Sequence, residues 1–193
     1  EIFAHATSPP LMFAYISERN IKAMFVGIPF ALIGISLLLI FALGSLRMGL
    51  LSLIPNLVPM GLAFGIWAIY DGQIIFTMAV ALGMTLGIVV DDTIHFMSKY
   101  LRARREMGHD AEEAVRHAMR TVGSAILVTS LILTAGFVVL GMSPFSPNST
   151  MAQITAIAIV MAVLADFFLL PTLLINWTSK LQLIKIPLHW TVV

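Results

Sequence analysis

The chain has 193 residues, of which 59% are apolar and 11% charged, with a mean hydropathy of +0.97 and a formal net charge of +1. A soluble domain is about half apolar and about a quarter charged, so this is an integral membrane protein whose first partner is the lipid bilayer, and no nucleic-acid partner is expected. Cysteine is absent, which excludes a disulfide framework, a thiolate metal site and a cysteine nucleophile.

The chain opens at Glu1 without a Met and shows no signal-peptide pattern; it is expected to be a piece of a longer protein. Residues 1–22 form an external, interfacial lead-in in which Ser8-Pro9-Pro10 runs into a short segment ending at Lys22. Five apolar segments follow, at 23–43, 49–70, 74–97, 124–141 and 152–175, each near the ~20 residues that a spanning helix needs. Strands are excluded because barrel strands are about half as long and alternate in polarity. Pro29, Pro55, Pro59 and Pro171 fall inside or near the ends of these segments, where neighbouring helices can satisfy the freed carbonyls, and Pro55-Asn56 with Pro59 is expected to kink the second helix.

Lys and Arg orient the chain. Arg47, Lys99, Arg102, Arg104, Arg105, Arg116, Arg120, Lys180 and Lys185 fall on one side of five crossings, and Arg19 and Lys22 on the other. The first set marks the cytoplasm, so loop 98–123 and tail 176–193 are cytoplasmic and the turn Asp71-Gly72-Gln73 is external. Asp110 and Glu113 have capping-box spacing, with Gly108 ending the preceding turn, which places a short amphipathic cytoplasmic helix in that loop. Its basic face suits anionic headgroups. Asn148-Ser149-Thr150 and Asn176-Trp177-Thr178 match the glycosylation pattern and are read as chance matches.

The chemistry is expected in the third span. Gly83, Gly87, Asp91 and His95 are four apart and form one ridge. Gly83 and Gly87 make a small-xxx-small motif for close helix packing. Asp91 and Asp92 place two carboxylates at membrane depth, where a charge costs at least about 2.5 kcal/mol. Packing that strips water from an acid favours its protonated form in general, and an acid that exchanges a proton there can carry one across a conformational switch. His95 lies one turn closer to the cytoplasm and is a candidate to pass protons on. Asp166 in the fifth span lies at comparable depth, and either joins this cluster or faces the interface. Thr129 and Ser130 in the fourth span are the preferred partners for Asp91 and Asp92, against the alternative that such hydroxyls bond back to their own helix. One His with two acids lacks a third clear metal ligand, so neither a metal nor a cofactor is expected.

The run Gly87-Ile88-Val89-Val90-Asp91-Asp92-Thr93-Ile94-His95-Phe96 resembles the signature of the resistance–nodulation–division (RND) superfamily, in its branch of hydrophobe and lipid exporters that includes the MMPL family. Glu112-Glu113-Ala114-Val115, Thr121-Val122-Gly123-Ser124-Ala125-Ile126, Ala135-Gly136-Phe137 and Ala165-Asp166-Phe167-Phe168-Leu169-Leu170-Pro171 fit the same pattern. The resemblance covers nearly the whole chain. It implies an all-α membrane protein whose five helices form half of an RND-type bundle, namely helices eight to twelve of the C-terminal half. An N-terminal half and an external porter domain would be missing partners, and a second copy of the protein is a further candidate. It also implies a proton-motive-force-driven exporter of lipidic or hydrophobic substrates in the inner membrane, a secondary active transporter and not an enzyme. Asp91 and Asp92 occupy the family's proton-coupling motif. Many relatives have Asp-Tyr there, so this chain leaves open which carboxylate is the main proton carrier. The same five-helix block resembles a sterol-sensing domain, which makes a lipid-sensing module the alternative. An intramembrane aspartyl protease is remote: Tyr70-Asp71 matches one half of its active-site pair, but the Gly-x-Gly-Asp half is lacking.

Overall fold

The computed structural model describes residues 9–70 and 77–183, and all regular structure there is helical. The elements are α1 (Pro9–Leu43), α2 (Leu46–Leu51), α3 (Leu53–Tyr70), α4 (Thr77–Arg105), α5 (Ala111–Gly141), α6 (Ser146–Leu164), a π-helical turn (Ala165–Leu169) and α7 (Leu170–Leu183). Five stretches are long and apolar enough to cross a membrane: Val26–Leu43, Leu46–Ile69, Val80–Arg105, Ala111–Gly141 and Ser146–Trp177. The expectations for residues 1–8, for the turn Asp71-Gly72-Gln73 and for the end of the tail, Lys185 included, lie outside the described residues.

The helices run further than the apolar segments do. α1 has 35 residues, about 52 Å at 1.5 Å per residue, against a hydrocarbon core of about 30 Å. The lead-in from Pro9 is therefore continuous with the first span and not a separate interfacial piece. The connection between the third and fourth spans differs in the same way. Instead of a separate short helix, α4 continues to Arg105 and α5 begins at Ala111. Good helix formers carry both helices past the apolar segments, and only residues 106–110 break them. At that break Gly108 has φ +69°, the His109 N–H closes on the Ala103 carbonyl, and the Asp110 carboxylate accepts from the Glu113 N–H at 2.7 Å. The N-cap thus sits at the position that the capping spacing marks.

Two interruptions shape the bundle. α1 ends in a Schellman turn, with the Ser45 N–H on the Ile40 carbonyl and the Gly44 N–H on the Phe41 carbonyl. Gly44 takes φ +57° there, which residues with a Cβ resist. The second span then breaks at Ser52, one turn before Pro55, giving α2 and α3. In the fifth span, Leu170 N–H bonds the Ala165 carbonyl five residues back. This wider turn falls just before Pro171, which has no N–H for the ladder and whose ring crowds an ordinary α turn.

α6 packs against α3, α4 and α5, while α1 leans mainly on α2 and α4. The larger core cluster lies at the basic end, where Leu43, Leu51, Phe96, Met97, Tyr100, Ala118, Leu170 and Leu174 are buried together. A smaller one joins Trp67, Ala81 and Ile154 towards the other end. Many large apolar side chains point outward, among them Phe41 and Ile69, each 90% exposed. Such exposure fits a bilayer as solvent.

Candidate functional site

Successive residues on a helix point about 100° apart, so Asp91, Asp92 and Thr93 fan across three directions from one turn of α4. Asp91 points away from the bundle, with its side chain 71% exposed and 3.7 Å from His95 Nε2 one turn on. Asp92 is half-buried in the seam with α5, where the Ser130 hydroxyl donates to its Oδ2 at 3.3 Å. Thr93 is fully buried and faces α3 and the π turn.

Thr93 lies at the centre of a polar string. Its hydroxyl oxygen is 2.7 Å from Asn56 Oδ1 on α3, 3.2 Å from Asp166 Oδ1 on the π turn and 3.2 Å from its own helix at the Val89 carbonyl. The Asn56 amide donates to the Ser52 carbonyl at 2.8 Å, and the Ser52 hydroxyl donates to the Gly49 carbonyl at 2.7 Å. Asp166 is 1% exposed, and its Oδ2 has no hydrogen-bond partner. α3 and the helix α6 carry no charged residue. Thr85, Ser130, Thr150 and Thr155 are buried as well, but this string links side chains of three elements, and buried polar groups without partners cost free energy.

The residues singled out in the sequence divide accordingly. Asp92 and Ser130 meet, and Asp166 is inside the bundle within hydrogen-bonding distance of α4. Thr129 is exposed, and its hydroxyl bonds back to the Ala125 and Ile126 carbonyls at 3.0 Å, so the pairing expected of it with an acid is replaced by the own-helix alternative. Gly83 and Gly87 lie with Asp91 and His95 on the exposed ridge, and a Cβ at either glycine would meet nothing within 4 Å. Among the described residues no side chain or backbone packs on those two glycines. Thr93, Asn56 and Ser52 were not among the expected site residues. An Asn inside an apolar span was the available signal, because such side chains seek partners across helices. Among the described residues no group of three His, Cys, Asp or Glu side chains is placed to hold a metal ion.

A multi-pass helical bundle with carboxylates on helices long and apolar enough to cross a membrane is the class that the fold and site define. The model of the MMPL family matches residues 1–185, and the chain belongs to that family; it is an RND-like membrane protein. It is also similar to MJ1562 of Methanocaldococcus jannaschii, whose name goes no further than a membrane protein, with 26% identity over 177 residues. That alignment covers 91% of this chain and 44% of the relative, so the chain spans less than half of the length of the protein that it matches.

Proposed function

We propose that this chain is the C-terminal transmembrane part of a proton-motive-force-driven RND-type exporter of lipidic or hydrophobic substrates, in the inner membrane, and that its intramembrane acids couple proton movement to transport. The observation that carries this reading is the fan of Asp91, Asp92 and Thr93 on one turn of α4. One carboxylate is held from inside the bundle by Ser130, and its neighbour stands on an open, glycine-lined ridge beside His95. Such a ridge is suited to a second half of the transporter, whose helix would approach at Gly83 and Gly87 and close over Asp91. A proton taken up by Asp91 or Asp92 changes the charge at that seam, and charge at membrane depth is expensive enough to move helices. Ser130 would steady the acid between protonation states, and His95 would pass protons towards the basic side. Thr129, with its hydroxyl on its own helix, has the weakest case for a part in the relay.

The test is proton flux in proteoliposomes of the full-length protein, read by a trapped pH-sensitive dye after an imposed gradient, with and without an added amphiphile. Asp91→Asn and Asp92→Asn are each expected to reduce amphiphile-stimulated flux to the protein-free leak. Full flux in both variants would sink the coupling role and favour a lipid-sensing bundle in which the acids are structural.

A further inference from the structure

The hydroxyl of Thr93 has one proton to give and three acceptors in reach, at 2.7 Å for Asn56 Oδ1 and 3.2 Å for both Val89 O and Asp166 Oδ1. The shortest contact marks where that proton points, because a hydroxyl-to-oxygen bond has its usual length near 2.7–2.8 Å. Asn56 cannot reverse the direction, since its amide nitrogen is already committed to the Ser52 carbonyl. With the Thr93 proton on Asn56, the contact between Thr93 Oγ1 and Asp166 Oδ1 has a donor only if Asp166 supplies it. The remaining oxygen, Oδ2, is then a neutral carbonyl oxygen, which is cheaper to leave unpartnered in a buried site than half of a carboxylate.

We propose that Asp166 carries a proton that it donates to Thr93, and that Thr93 and Asn56 are positioning residues in a single-file chain, Asp166 to Thr93 to Asn56 to Ser52, which ties the protonation of Asp166 to the joint between α2 and α3. When Asp166 releases its proton to solvent, the Thr93 proton turns to the carboxylate. Asn56 Oδ1 and Thr93 Oγ1 then face each other at 2.7 Å with no hydrogen between them. The two oxygens repel, and either α3 moves off α4 or the Asn56 amide turns and releases the Ser52 carbonyl. Both outcomes act at Ser52, which lies between α2 and α3. Of the elements packed on the π turn, α3 and α6 carry no charged residue and α7 carries Lys180; on α4, Asp92 is half-buried in the seam with α5, whereas Asp91 and His95 point away from the bundle. Participation in transport rests on the function proposed above, whereas the proton on Asp166 rests on the geometry alone.

Infrared difference spectroscopy of the full-length protein in lipid, titrated with pH, tests this without turnover. A protonated-carboxyl band is expected that disappears in Asp166→Asn. Thr93→Val should move that band to higher frequency, and Thr93→Ser should return it to the native position. Asn56→Leu, at a residue that has no hydrogen bond to Asp166, should move it in the same direction by a smaller amount, which a purely structural contact would not do. Folding of each variant is checked by circular dichroism. Absence of an Asp166-dependent band across the pH range, or a band indifferent to Thr93→Val and Asn56→Leu, overturns the proposal. Full proton flux in both the Asp91 and Asp92 variants, with the Asp166 band present and sensitive to Thr93→Val, would instead overturn the transport reading alone.

Discussion

Thr93 shows how one methyl-bearing hydroxyl can organise a membrane interior. Replacing it by Val keeps the shape and removes the donor, leaving Asn56 Oδ1 buried without a partner; an orphaned buried polar group costs about 1–3 kcal/mol. Thr93→Val is therefore expected to lower the unfolding free energy in bicelles by about that amount, while Thr93→Ser loses only a methyl, about 1 kcal/mol. The reverse order would show that packing and not hydrogen bonding dominates at this position. The neighbouring hydroxyls of Thr129 and Ser130 on α5 should separate as cleanly. Ser130→Ala removes the hydrogen bond from Ser130 to Asp92 and should alter the pH profile of carbodiimide labelling at Asp92. Thr129→Val, at an exposed hydroxyl bonded to its own helix, should leave both labelling and stability within about 0.5 kcal/mol of the parent.

At the scale of the element, helix ends and close approaches decide the geometry. The Asp110 cap starts α5, whose first turns carry Glu112, Glu113 and Arg116. Asp110→Ala is expected to cost about 1 kcal/mol, read as a lower thermal midpoint, with Asp110→Asn close to neutral. Gly49 makes the tightest contact of the α1–α2 corner: a Cβ there would lie 2.8 Å from the Ile40 Cα and 2.9 Å from the Ile40 N. Backbone cannot move aside as a side chain can, so Gly49→Ala should destabilise by about 1–3 kcal/mol. A smaller loss would mean that the corner opens easily, as a moving joint at Ser52 would allow. The π turn before Pro171 matters for the same reason. It widens the helix where Asp166 has to reach α4, and wide turns of this kind recur at functional sites.

At the scale of the whole molecule, the most telling feature is a face left open. Gly83, Gly87, Asp91 and His95 lie along one side of α4 with nothing packed on the glycines, and the chain spans 44% of the relative that it matches. If a second half docks there, Gly87→Leu should leave membrane insertion and helicity unchanged yet abolish amphiphile-stimulated proton flux in the full-length protein. Retained flux would place the partner half elsewhere on the bundle.

Sequence alone determined the class, the number of helices long and apolar enough to cross a membrane and the cap at Asp110, because these depend on local quantities: apolar length and capping spacing. The same local rules missed the helical extensions at both ends of the loop, since apolar length marks what fits the bilayer and not where a helix stops. Tertiary structure decided which way each polar side chain turns. In a span that is apolar on nearly every side, there is no amphipathic stripe to fix rotation about the helix axis, and neighbouring helices set that rotation through packing and interhelical hydrogen bonds. A turn of about 100° per residue then separates Asp91, Asp92 and Thr93. That is why adjacent letters in the sequence become an outward acid, a seam acid and a buried hydroxyl, and why Asn56 and Asp166, distant in the chain, meet at Thr93.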